Sequence, residues 1–164
     1  MIAVLPLMKK VFHFEASREQ YVCDAAIVWC FDHRFQQGFG KFLKRIGVEN
    51  PDPIRIAGGA KGLASPERES DRQFVIDQIK TSMRLHGTKL VILKLHSDCG
   101  AYGGLAAFNN DARAEAEHHE VELLRAADCL RIAIPGIEVR GYFVDFDGVW
   151  EVDVAERTSA ESGE

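Results

Sequence analysis

Two short runs of the chain carry apolar side chains at consecutive positions. They are Ala25-Ala26-Ile27-Val28-Trp29 and the Leu90-Val91-Ile92-Leu93 stretch inside residues 89–95. A strand with one wet face alternates apolar and polar residues. A strand apolar throughout must be covered on both faces, as strands in parallel sheets with helices above and below are. The rest of the chain supplies the covering layers. Residues 35–48 place Phe35, Phe39, Phe42, Leu43 and Ile46 at helical spacing, although Gly38 and Gly40 weaken that helix. A second short strand spans 53–57 and is stopped by Gly58-Gly59. Ser65-Pro66 reads as an N-cap with proline at the first helical position. The helix that follows is expected to turn Phe74, Val75, Ile79, Met83 and Leu85 inward and to stop at Gly87.

The second half repeats the alternation. Asp111 is positioned to cap a helix reaching about residue 129, with Val121, Leu124 and Leu130 on its buried side. Residues 137–146 form a last long strand. Asp147-Gly148 is a hairpin turn, and 149–152 return as an edge strand. The pattern predicts an α/β fold with a mostly parallel central sheet of about four strands plus a C-terminal edge hairpin strand. One domain is expected over residues 1–154, followed by a loose polar tail at 155–164.

Composition narrows the function. Of 164 residues, 46% are hydrophobic and 27% charged, a balance that excludes disordered, collagen-like and coiled-coil chains. A formal charge of −5 argues against a nucleic-acid partner held by bulk electrostatics. No run reaches the roughly 18 apolar residues of a membrane span. Lys9 and Lys10 follow the apolar start instead of preceding it, so it does not read as an export signal. The expected compartment is the cytoplasm, where the four cysteines stay thiols or bind metal.

In open α/β sheets, ligands bind beyond the carboxyl ends of the strands. Two such ends are loaded with chemistry. Cys30-Phe31-Asp32-His33-Arg34 follows the first buried strand, and His96-Ser97-Asp98-Cys99-Gly100 follows the third. Two thiols and an imidazole make a Cys2His donor set, which favours zinc over hard cations and leaves a fourth position open. Asp32 stands close enough to bind the metal or to hydrogen-bond a water on it. Other features have plainer readings. Gly58–Gly62 lacks the phosphate-loop spacing and reads as a turn or pocket wall, which also argues against a flavodoxin-like nucleotide binder. Gly103-Gly104 reads as backbone fitting under the metal loop. Cys23 and Cys129 read as structural, His33 as an ordinary loop residue, and His118-His119 as a solvated helix face. His13 and His86 carry no informative context. Phe31 and Phe35 stand where they can line an apolar pocket.

Cys30-x-Asp32-x-Arg34 followed by His96-x-x-Cys99-Gly100 resembles the zinc signature of the β-class carbonic anhydrases. Arg55-Ile56-Ala57-Gly58-Gly59 is similar to that family's Arg-Asn-Ala-Gly segment. The resemblance covers roughly residues 22 to 153. His33 departs from it, standing where serine is most common, and Ile56 replaces the usual asparagine. The resemblance implies Zn2+ held by Cys30, His96 and Cys99 on a Rossmann-like three-layer α/β/α sandwich. It implies a homodimer or a dimer-based higher homo-oligomer, with the substrate pocket completed by a second chain. It further implies reversible hydration of carbon dioxide to bicarbonate by zinc-bound hydroxide. Asp32 would orient that hydroxide, and Arg34 would hold Asp32 ionised. Asp32 is also a possible fourth ligand in a closed state. Two other functions remain open on the same residues. One is a hydrolase of carbonyl sulfide or carbon disulfide, and the other is a non-catalytic zinc-binding homologue.

Overall fold

The computed structural model describes residues 8–156. The expectations for the apolar start at 1–7 and for most of the acidic tail fall outside them. Five strands form one sheet in the order β2-β1-β3-β4-β5, comprising β1 (Ala25–Trp29), β2 (Pro51–Arg55), β3 (Leu90–His96), β4 (Glu138–Val144) and β5 (Val149–Val152). The first four run parallel, and β5 pairs antiparallel with β4. The predicted α/β class and sheet are therefore observed.

Four helices connect the strands, namely α1 (Gln36–Arg45), α2 (Lys61–Ala64), α3 (Glu69–His86) and α4 (Ala112–Ala133). The continuously apolar strands behave as their sequence requires. Every residue of β1 is buried. Ala25, Ile27 and Trp29 pack with Phe35, Phe39 and Leu43 around α1. Ala26 and Val28 pack with Val75 and Ile79 of α3 and with Leu123, Ala127 and Leu130 of α4 on the opposite face. The chain moves one way across the sheet from β1 to β2 and the other way from β2 to β3 and β4. With one crossover hand, that reversal puts α1 on one face and α3 and α4 on the other. It also opens a crevice between the carboxyl ends of β1 and β3, the place where such sheets bind ligands.

Several local expectations hold. Asp111 caps α4 by accepting the N–H groups of Arg113 and Ala114 at 2.9 and 3.2 Å. Gly87 ends α3 in the left-handed region at φ 66°. Asp145 closes the hairpin by accepting from the N–H groups of Asp147 and Gly148.

Others need correction. Ser65 does not cap α3. It ends α2, and α3 begins four residues later behind Arg68. The Ser65 hydroxyl instead bonds to the buried carboxylate of Glu122 on α4, a tertiary partner outside its local sequence. Phe74, Leu85 and Val121 face outward, because the buried stripes are set by Val75, Ile76 and Ile79 on α3 and by Leu123, Ala126 and Ala127 on α4. Helix α4 also runs past residue 129 to Ala133. Residues 9–24 form neither helix nor strand, and they expose Val11, Phe12, Phe14, Tyr21 and Val22. Among the described residues, no helix is long and apolar enough to cross a membrane.

Candidate metal centre

Both halves of the predicted donor set arrive at the crevice. Cys30 is the residue after β1, His96 is the last of β3, and Cys99 immediately precedes the 3₁₀ turn Gly100–Tyr102. One donor atom from each lies within 4.8 Å of the other two, and all three residues are buried. The His96 ring is oriented by its own loop, since Nδ1–H donates to the Ser97 carbonyl at 2.8 Å. That bond leaves the lone pair on Nε2, which is buried and has no hydrogen-bond partner. A buried nitrogen without a partner is destabilising unless something accepts its lone pair. A cation between the imidazole and the two sulfurs does so, and the residues present therefore fit a metal.

The two thiols titrate as a pair. The neighbouring Cys99, followed by the His96 ring and the backbone N–H groups of Asp32 and Gly58, holds the Cys30 thiol well below its ordinary range, against the effect of burial. Cys99, beside that thiolate and buried, is pushed up. The pairing thus favours the thiolate on Cys30, the form a soft metal takes. Gly59 makes this approach possible. Its φ is +55°, and an added Cβ would fall 2.8 Å from the Cys30 nitrogen and 2.7 Å from the Lys94 carbonyl oxygen. The glycine segment is therefore a turn pressed directly against the sulfur-bearing loop.

Asp32 and Arg34 sit at the rim. The Arg34 guanidinium reaches Asp32 Oδ2 from Nη2 at 2.7 Å and Oδ1 from Nε at 3.1 Å, and the Arg34 backbone N–H adds a bond to Oδ1 at 2.9 Å. These contacts hold the Asp32 carboxyl down at about 2, despite partial burial. Asp32 Oδ2 lies 4.0 Å from His96 Nε2, so the carboxylate borders the donor set without bonding to it.

Three residues shape the site although they did not stand out in the sequence. Asp98 accepts from Arg34 Nη1 at 3.0 Å and from the Leu105 N–H at 2.9 Å, and it adopts φ 53° to do so. Glu115 of α4, fully buried, accepts from Ser97 Oγ at 2.7 Å and from the Asp98 N–H at 2.6 Å. It thereby ties the loop between His96 and Cys99 to the helix beneath. Lys94 is 1% exposed on the α1 side of β3, with Nζ 4.7 Å from the Phe39 ring and 5.2 Å from the Trp29 ring. Burial pulls its ammonium down to about 8. Only Asp98 had a sequence cue, since Asp tolerates positive φ in a tight loop. A lysine inside an apolar strand and a glutamate on a distant helix carry no such cue.

The remaining sequence candidates separate. Phe35 packs against the His96 ring at 4.9 Å and lines a cavity of 280 Å³ with Arg34, Phe39, Val144 and Phe146. Phe31 points outward, and His33 is exposed. Gly104 lies against the loop between His96 and Cys99, where a Cβ would meet Asp98 Oδ1 at 2.9 Å. His118 is solvated, but His119 is fully buried against Tyr102, Phe108 and Phe143. The solvated-face reading is wrong for it because α4 turns Glu115, His119 and Glu122, spaced by four and three residues, toward the sheet.

A parallel α/β sheet with a Cys2His cluster at its switch point defines a protein built around a candidate metal centre. The family described as "Putative carbonic anhydrase" matches residues 21–156, and the chain belongs to that family. Curated protein sequences show no match. Solved structures share the fold. The β-carbonic anhydrase CafA of the fungus Aspergillus fumigatus is 18% identical, with a TM-score of 0.56 over 84% of this chain and 78% of that one. β-Carbonic anhydrase isoform I of the protozoan Trichomonas vaginalis is 15% identical, with a TM-score of 0.57 over 85% and 87%. A carbonic anhydrase from Glaciozyma antarctica is 20% identical, with a TM-score of 0.52 over 81% and 83%.

Proposed function

We propose that the protein is a zinc enzyme that hydrates carbon dioxide reversibly to bicarbonate, with Cys30, His96 and Cys99 as the zinc ligands. The observation that carries the reading is the unpartnered His96 Nε2, buried between two sulfurs with the Asp32–Arg34 pair at the rim. Zinc held there supplies a Lewis acid able to generate a hydroxide nucleophile near neutral pH.

The chain's own residues do the rest. Asp32, kept ionised by Arg34, is an acceptor at every pH of interest and orients a nucleophile's O–H. Arg34, braced by both Asp32 and Asp98, keeps that carboxylate from swinging onto the metal. Release of the pair would let Asp32 become a fourth ligand and close the site. Phe35, Phe39 and Val144 give the adjoining cavity apolar walls suited to a small apolar substrate. The reading includes a homodimer or larger dimer-based assembly. It is supported by the exposed Phe31 and Phe146 near the site and by the apolar residues displayed along 9–24, surfaces that a second copy can cover. It places the enzyme in the cytoplasm, where the thiols stay reduced.

The test measures zinc content and then stopped-flow hydration of carbon dioxide beside hydrolysis of carbonyl sulfide and carbon disulfide. Hydration that disappears in Asp32→Ala while zinc is retained supports the reading. Turnover of the sulfur compounds alone would replace the substrate. A zinc-replete protein inert toward all three would make it a binding protein.

A further inference from the structure

A second convergence of metal-type donors lies at the opposite end of the sheet. Cys23 Sγ is 3.1 Å from Asp52 Oδ1, and His86 Nδ1 is 2.7 Å from Asp52 Oδ2. One donor atom from each of the three residues lies within 4.8 Å of the others. Cys23 is buried, and its two companions are half-buried. The residues come from three separate places: the approach to β1, the second position of β2, and the last position of α3. Cys23 and Cys30 are seven residues apart along one extended segment, so the two clusters are roughly 20 Å apart at the usual rise of a strand.

Backbone bonds hold the three donors in place. The Cys23 N–H donates to the His86 carbonyl at 3.0 Å, and the Asp24 N–H donates to the Asn50 carbonyl at 3.0 Å. The Asp24 carboxylate accepts the N–H groups of Glu49 and Asn50 at 2.8 Å each. Side chains orient the donors in turn. Ser82 Oγ donates to Asp52 Oδ2 at 2.6 Å and is paired with Thr88 Oγ1 at 2.5 Å. The Tyr21 ring stacks on His86 with centroids 4.3 Å apart. Outer hydrogen bonds of this kind orient the ligands of a bound metal.

We propose that Cys23, Asp52 and His86 form a second zinc site, structural in kind, that fastens the approach to β1 onto β2 and the end of α3. The donor set is one thiolate, one carboxylate and one imidazole, all accepted by zinc. Their charges neutralise a dication, which suits a partly buried position. The 2.7 and 3.1 Å separations are slightly shorter than the edges of a tetrahedron with bonds of about 2.0–2.3 Å, so small side-chain rotations admit the ion. The Ser82 hydroxyl or a water completes the fourth position.

Entry of the metal breaks the Cys23 S–H bond, and that proton leaves to solvent. The His86 proton that faces Asp52 from Nδ1 passes through solvent to Nε2, so that Nδ1 presents a lone pair. Asp52 gives an oxygen without changing charge, and nothing is oxidised or reduced. Without metal the cluster is closed by protons instead. Burial, then the bond to Asp52, pushes the Cys23 thiol up to about 12, so occupancy releases a proton.

The experiment counts zinc per chain by elemental analysis in full-length protein, with free zinc held constant by a chelator buffer. The expected counts are two for the natural sequence, one for Cys30→Ser, one for His86→Ala and none for the double variant. A natural protein holding one zinc, with Cys30→Ser empty, overturns the second site and leaves the first intact. A natural protein holding one zinc, with His86→Ala empty, supports the second site and overturns the first. A natural protein with no zinc overturns both. If His86→Ala does not fold, proton release on zinc addition to metal-free Cys30→Ser decides. Uptake of one zinc with release of the Cys23 proton supports the site, and no uptake overturns it.

Discussion

The two ends of the sheet collect similar donors and leave them in opposite states. At the carboxyl end, His96 Nε2 is buried without a hydrogen-bond partner beside the two buried thiols of Cys30 and Cys99. At the amino end, Cys23, Asp52, His86, Ser82 and Thr88 satisfy one another through short hydrogen bonds. The difference follows from the geometry of parallel strands. Loops at the carboxyl end diverge around a crevice, so groups held there face an opening. The amino end is where β1, β2 and α3 are clamped together by backbone bonds, so polar groups there meet one another. The first cluster therefore leaves a lone pair open to an outside ion, whereas the second is complete with protons and would take an ion only by exchanging them.

Substitutions can break or sharpen that contrast, and the largest effect belongs to the carboxyl end. Cys30→Ser is expected to reduce carbon dioxide hydration to the uncatalysed background, as measured by stopped flow. A variant retaining substantial activity would show that the cluster is not the reacting centre.

Next comes His119, which shares the carboxyl-end pattern of buried nitrogens without partners. Burial holds its pKa down at about 4, with the charge of His118 adding to the effect. The unfolded chain takes up this proton near pH 6.5 and the folded chain only near 4, so stability falls as pH drops through that window. The expected loss is about 3 kcal/mol by pH 4, and His119→Phe should flatten this part of the profile in denaturant titrations. An unchanged slope would assign the acid sensitivity elsewhere.

A smaller change is expected for Glu115→Gln. The amide can still accept from Ser97 Oγ, but it turns a donor toward the Asp98 N–H. Zinc affinity should weaken about 10- to 100-fold in a chelator competition, the usual range for groups that orient ligands. The smallest effect belongs to the amino end. Ser82→Ala removes one neutral donor to Asp52 and should lower unfolding stability by about 1 kcal/mol. A loss several times larger would mean that this end, too, leaves groups unsatisfied.

Legibility from sequence followed the same division. Cys30, His96 and Cys99 could be found because Cys30 and His96 stand at the ends of buried strand runs and Cys99 lies three residues past His96, so pattern alone places them at one sheet edge. The Asp32–Arg34 contact was equally accessible, since its partners are two residues apart. Cys23 and His86 could not be paired in this way, being 63 residues apart with no shared motif, although the backbone of one bonds the other. Ser65 was misread for a related reason. Its local sequence is that of a cap, yet its hydroxyl bonds to Glu122, 57 residues away. Phe74, Leu85 and Val121 fit a helical period but lie outside the stripe that the neighbouring elements bury.

By itself, then, the sequence determined the layering and the place of the first metal-type cluster. Continuous apolar strands cannot be stable unless covered on both sides, and residues just beyond them must emerge at the sheet's carboxyl edge. Only the tertiary structure decided what brackets that cluster and what gathers at the other edge. Glu115 under the loop between His96 and Cys99, Lys94 among aromatic rings, and Asp52 between Cys23 and His86 depend on how distant elements pack. That packing sets distances and solvent access, and no local spacing encodes either.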